Sequence, residues 1–196
     1  MRALIVAVSL IAAAPTIAAA AEAEAPAEQS VTTAKEERAA RLDALFAELK
    51  AAPSPAVGKA VEHEILVEWI RSGDAEIDKM MSAAILAMNA GELDAAVAVL
   101  DQIVALRPDD VEGWNKRATV FYYMHEYDKS LADIDRTLAL EPRHFGALAG
   151  LGMIMRDVGN LKGAIAAFEQ AVAVNPSLEN VRAAIEQLRA RTGKDI

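Results

Sequence analysis

Apolar residues recur at helical spacing along most of this chain. Leu42, Leu45, Phe46 and Leu49 mark the buried face of one helix, and Val57, Val61, Ile65, Leu66, Trp69 and Ile70 that of a second. Thr33 and Glu36 have the spacing of a capping box that opens the first helix. Pro53-Ser54-Pro55 stops it, and Ser54 with Pro55 starts the next, which Gly73 closes in the left-handed conformation. Beyond Gly73 the pattern becomes periodic. Pro108, Pro142 and Pro176 stand 34 residues apart, as do Ala96, Ser130 and Ala164, and Leu100, Ile134 and Phe168. Leu93, Tyr127 and Leu161 keep the same interval, and Gly91 and Gly159 fall where the middle unit has His125. Such a period predicts stacked helical hairpins. A small residue lets the second helix approach the first, large apolar residues fill the space between them, and proline ends the pair.

Three units follow, at residues 77–110, 111–144 and 145–178. A last helix runs from Leu178 to about Arg191, with Ser177 as its cap. Its Val181, Ile185 and Leu188 cover the third unit, while Glu179, Arg182, Glu186 and Arg189 face water. The units resemble tetratricopeptide (TPR) repeats over roughly half the chain. The resemblance implies an all-α fold of helical hairpins wound into a right-handed superhelix. The helix pair at residues 33–76 then reads as a degenerate N-terminal repeat, and residues 179–196 as a C-terminal capping helix and tail.

Composition supports helices, since alanine is abundant and aromatics are only 5%. A formal charge of -9 argues against nucleic-acid binding, which needs a basic face. With no cysteine there is no disulfide framework, thiolate metal site or Cys nucleophile. The N-terminus adds a compartment. Residues 1–20 carry Arg2, a short apolar run from Ala3 to Ala14, the breaker Pro15, and Ala18-Ala19-Ala20 as a cleavage signal. That is the layout of a secretory signal peptide, too short to span a bilayer. The mature chain is expected in the periplasm, without stable membrane insertion once the signal is cut. Residues 21–32, rich in Ala, Glu and Pro, read as a disordered linker.

Candidate chemistry is sparse. Arg117 and Asp133 are charged together in the middle unit; the matching positions are Ala83 and Val99 in the first and Leu151 and Ala167 in the third. This co-occurrence predicts a structural ion pair between the two helices. In TPR proteins the first helix of each repeat lines a concave groove. The resemblance therefore implies a partner-binding groove of Met81, Ile85, Met88, Asn115, Thr119, Tyr122, Met153 and Arg156. Flexible Met side chains suit an adaptable apolar contact. The competing reading buries Met81, Ile85, Met88 and Met153 against the N-terminal pair or a second copy. The carboxylate clamp known in the family fails here, because the matching positions are Met81, Ile85, Lys116, Gly146 and Gly150. Gly146 to Gly152 is not a phosphate loop, and the His63-Glu64 and His125-Glu126 pairs lack the second His of a zinc helix. Arg143 and His144 read as a solvated turn.

The expected function is a non-enzymatic scaffold for a protein or peptide, with no cofactor and no metal. Trp114 to Ala118 and Leu140 to Leu148 resemble a class of small exported TPR proteins of Gram-negative bacteria, which implies a part in cell-envelope maintenance or assembly. The alternatives are a membrane-tethered adaptor with a retained N-terminus and a self-assembling homo-oligomer.

Overall fold

The computed structural model describes residues 18–193. Most of the signal segment, residues 1–17, lies outside them, as do residues 194–196 of the tail. Among the described residues all regular structure is helical, in nine helices. The chain divides into two units between Ala40 and Arg41, inside α1 (Ala18–Ala51).

The described part of the first unit, residues 18–40, is helical. This corrects two expectations. Residues 21–32 are part of α1 rather than a disordered linker, and Thr33 lies inside the helix rather than at its start. Alanine and glutamate are strong helix formers, so backbone propensity carries the helix through this stretch even with Pro26 in it.

In the second unit, α2 (Pro55–Ile70) is followed by three helix pairs. They are α3 (Ala75–Ala90) with α4 (Leu93–Leu106), α5 (Val111–Tyr123) with α6 (Tyr127–Leu140), and α7 (Phe145–Asp157) with α8 (Leu161–Val174); α9 (Glu179–Thr192) closes the order. The pairs coincide with the 34-residue units of the sequence. Asp74 starts α3 by accepting from the Glu76 and Ile77 amides at 2.9 and 3.3 Å. The turn inside each pair needs one left-handed residue. Gly91 and Gly159 supply it with φ of 76° and 83°, and His125 adopts the same conformation with φ of 58°. At the small-residue position, Ala96, Ser130 and Ala164 are all buried between their helices. Ser130 meets the cost of a buried hydroxyl by donating to the Ala118 carbonyl at 2.7 Å.

The N-terminal pair packs differently from a repeat stacked ahead of α3. Leu42, Phe46 and Leu49 of α1 and Val61, Ile65 and Trp69 of α2 form one core with Phe145, flanked by Val174 and Leu178. Helix α2 thus lies along the turns that join the repeats. Gly58 meets the turn before α9 so closely that a Cβ would sit 1.8 Å from Ser177 Oγ. Farther along, Glu62 Oε2 accepts from Asn175 Nδ2 at 2.8 Å. Val57, expected in the buried face, is exposed. Ser177 is no helix cap: Leu178 holds the cap position of α9, and the Ser177 amide donates to Asn175 Oδ1 at 2.9 Å. Val181, Ile185 and Leu188 bury against Ala164 and Phe168, as the helical spacing predicts.

Candidate partner-binding site

The first helices of the second and third repeats, α5 and α7, stand side by side with a cleft between them. One wall carries Asn115, Thr119 and Tyr122, the other Gly146, Ala149, Gly150 and Met153, and Ala118, Ser130, Ile134 and Ala147 form the floor. The space measures about 130 Å³. Glycine and alanine on the α7 wall give it depth, because few side chains project from that side.

Polar ties hold α5 and α7 together at both ends of the cleft. At the start of the helices, Glu112 is almost fully buried. Its Oε2 faces His144 Nε2 at 3.0 Å and Asn115 Nδ2 at 3.2 Å, and its Oε1 meets Lys116 Nζ at 2.7 Å. His144 caps α7, with Nδ1 accepting from the Ala147 amide at 3.0 Å. An Nδ1 that accepts leaves the ring proton on Nε2, where it donates to Glu112. The Trp69 ring stacks on the imidazole with centroids 4.1 Å apart. At the far end, Tyr122 donates to Asp157 Oδ2 at 2.7 Å, and Arg156 Nε donates to Asp157 Oδ1 at 2.8 Å. Burial and the bond to Asp157 push the Tyr122 hydroxyl up to about 12, so it stays a donor to that carboxylate.

These ties decide what the cleft offers a ligand. A carboxylate can only accept, so Glu112 orients the Asn115 amide nitrogen toward itself and the Asn115 carbonyl oxygen toward Gly146. Thr119 gives its proton to the Asn115 main-chain carbonyl at 2.9 Å. Acceptor positions therefore face the cleft on the α5 wall, beside the apolar Ala149 and Met153. That combination suits a main-chain N–H together with an apolar side chain. It does not suit a carboxylate, and Lys116, the only cation among the clamp positions, is committed to Glu112.

Burial alone would raise the Glu112 carboxyl. The His144 hydrogen bond and the Lys116 charge outweigh it and bring the group down to about 2 from an ordinary 4.5. A depressed folded-state value adds stability above about pH 4.5 and loses it as pH falls toward 2. Urea unfolding across that window is expected to show a steep acid loss in the wild type. Glu112→Gln should be less stable at neutral pH and flatter in acid; an unchanged acid slope in the variant would refute the assignment.

The cleft gathers Asn115, Thr119, Tyr122 and Met153 from the expected groove, with Arg156 at its end through a 3.4 Å contact to the Tyr122 hydroxyl. It does not gather the residues from the first repeat. Met81 is 1% exposed in a core with Ile77, Ala84 and Leu100, and Ile85 and Met88 pack on the same cluster. The place of Met81 in the groove is corrected; Ile85 and Met88 stay partly exposed beside that cluster and lie outside the cleft. Ala87 stands where the second repeat has Phe121, and long methionines turn inward to fill the space. His144 corrects the solvated-turn reading, being fully buried. Arg143 reaches Asp43 at 2.6 Å and Glu141 at 2.9 Å, with its guanidinium 4.3 Å from the Phe46 ring centre. Arg117 pairs with Asp133 through two bonds of 2.8 Å. It also reaches Asp101 of α4 at 2.7 Å, a tie to the preceding repeat that the sequence reading missed.

Comparison with known proteins supplies the relatives. The tetratricopeptide repeat family model matches residues 81–122 and 115–179. A TPR repeat-containing protein of Rhizobium etli is 40% identical over 137 residues, covering 70% of this chain and 67% of its own length. Among solved structures, the Sgt2 TPR domain from Aspergillus fumigatus superposes with a TM-score of 0.58 at 21% identity, covering 62% of this chain and 82% of that one. The Yersinia enterocolitica type III secretion chaperone SycD, solved in complex with a peptide of the translocator YopD, gives a TM-score of 0.57 at 12% identity, covering 62% of this chain and 99% of that one. At such identities the two structures speak for the fold alone. Family model and relative together place this chain in the tetratricopeptide repeat family.

Proposed function

We propose that this protein is an exported, non-enzymatic scaffold that holds an extended protein or peptide segment in the cleft between α5 and α7. The observation that carries the reading is the cleft itself: acceptors on one wall, a smooth Gly/Ala wall opposite, and ties at both ends that hold it open. A preformed cleft lowers the ordering cost of binding. TPR proteins serve as protein-binding scaffolds, and SycD, which shares this fold, was solved with a bound peptide. The signal-like N-terminus favours the periplasm, and the resemblance to small exported TPR proteins favours a part in cell-envelope maintenance or assembly. Among the described residues no helix is long and apolar enough to cross a membrane.

A photo-crosslinking residue at Thr119, inside the cleft, is expected to capture a defined partner in periplasm. The same probe at Ala132, exposed on α6, should not. Asn115→Ala with Tyr122→Ala should cut capture by about tenfold or more, the scale of losing a central contact. Equal capture from both probe positions, or full capture by the double variant, would rule the cleft out. Intact mass tests export separately: a mature chain beginning at or near Ala21 supports it, and an uncut chain retained in the membrane favours the tethered alternative.

A further inference from the structure

In a stack of helical hairpins, each first helix is covered by the second helix of the pair before it. Val120 of α5 is fully buried with Leu100 and Ile103 of α4, and Gly113 lies against Ile103 and Val104. The matching positions on α7, Ala147 and Ile154, are each 1% exposed and share a core with Ile134 of α6. On α3 the same stripe is Lys79, Ala83, Leu86 and Ala90, and all four are exposed, Leu86 at 70%. Among the described residues of the second unit no pair stands ahead of α3: the N-terminal helices turn most of their buried faces to Phe145, Val174 and Leu178, and Ile70 at the end of α2 reaches the α3–α4 core.

We propose that the α3 stripe is a homodimer interface, meeting the same stripe of a second copy across a two-fold axis. Three features select a second copy in this arrangement. Helix α9 covers the opposite end of the stack and carries exposed Arg182, Glu186 and Arg189, so head-to-tail stacking would bury charge and only like faces can meet. Ala83 and Ala90 lie on either side of Leu86, so antiparallel helices centred there set Ala83 of each copy against Ala90 of the other and bring the two Leu86 side chains together. Lys79 stands toward one end of the stripe with Glu76 one turn before it, and the exposed acids Glu92 and Asp94 follow the other end. Antiparallel pairing brings Lys79 of each copy to the acids of the other, whereas parallel pairing would set Lys79 against Lys79 and acid against acid. One helical stripe makes a small interface, so the dimer is weak, with a Kd on the order of micromolar. The stripe takes no part in lining the cleft, so this inference does not depend on the proposed binding function.

Sedimentation equilibrium of the full chain, from sub-micromolar to hundreds of micromolar, tests it. The wild type is expected to move from one to two copies of the 20.9 kDa chain. Leu86→Glu is expected to stay monomeric with an unchanged melting curve, since residue 86 is on the surface. Because the chain has no cysteine, disulfide capture reads the geometry directly. A mixture of Ala83→Cys and Ala90→Cys chains should crosslink readily under mild oxidation, and Ala83→Cys alone should not. A monomeric wild type at every concentration overturns the proposal. So does association that survives Leu86→Glu, or equal crosslinking by Ala83→Cys alone.

Discussion

Replacing Trp69 with alanine is expected to cost about 3–5 kcal/mol, the range for removing a large aromatic side chain from a packed core. Trp69 is 2% exposed. Its ring stacks on His144 with centroids 4.1 Å apart and meets Phe145 at 5.1 Å and Phe46 at 5.9 Å. The loss reaches beyond the void. His144 caps α7 and binds Glu112 of α5, so a loosened imidazole weakens the contact between the two helices that flank the cleft. Urea unfolding followed by circular dichroism measures the stability. Hydrogen exchange separates the two consequences, because amides at the start of α7 should lose protection along with those of α2. A cost below about 1 kcal/mol, as for an exposed site, would contradict the packing. Unchanged α7 protection would confine the role of Trp69 to its own helix pair.

Asp133→Ala is expected to cost about 3 kcal/mol, because it leaves the mostly buried Arg117 guanidinium without its bidentate partner. Asp101 remains as a partial partner, which keeps the value at the low end for a broken buried pair. Arg117→Leu should also destabilise, since Asp133 would be left buried with no cation. The double variant reproduces what the third repeat already carries, Leu151 and Ala167, and should recover to within about 1 kcal/mol of the wild type. A double-mutant cycle gives the coupling. If the two losses simply add, the pair does not act as a unit. The same Arg117 lies 4.8 Å from the Trp114 ring centre, so the leucine variant also removes a cation–π contact and its loss includes that contact besides the ion pair.

The helices of the repeats were legible because the interactions that make them are local and recur. Each small residue faces a large one at a fixed interval, so Ala96, Ser130 and Ala164 announce three helix pairs. Arg117 and Asp133 were legible for the same reason, since comparison between repeats exposes a change made at two facing positions together. The contacts of α2 have no such signature. Trp69 on His144 and Glu62 on Asn175 join residues far apart in the chain, and a repeat pattern encodes only the contacts between neighbouring repeats. A hint was present in the two polar residues Glu112 and His144 at the borders of the middle repeat, but nothing in the spacing says that they meet. The second and third repeats bring their expected groove positions to one cleft because position along a helix sets direction, whereas burial depends on what stands opposite. In the first repeat Ala84, Ala87 and Ala96 leave room that Met81 fills. The start of α1 was missed for another reason: helix formation there follows backbone propensity rather than a periodic apolar face.

Helix α2 also bears on the order in which the protein can be completed. The Glu62–Asn175 hydrogen bond joins residues 113 positions apart, so α2 is synthesised long before the residues it rests on. Each repeat can pair its own helices soon after it is made. The N-terminal helices cannot complete their docking until Asn175 and Leu178 have been released, and such distant closures are the slow ones in folding. Until then Leu42, Phe46, Ile65 and Trp69 can meet one another and Phe145 but lack Val174 and Leu178. Helices α1 and α2, made before the repeats, therefore complete their packing after them.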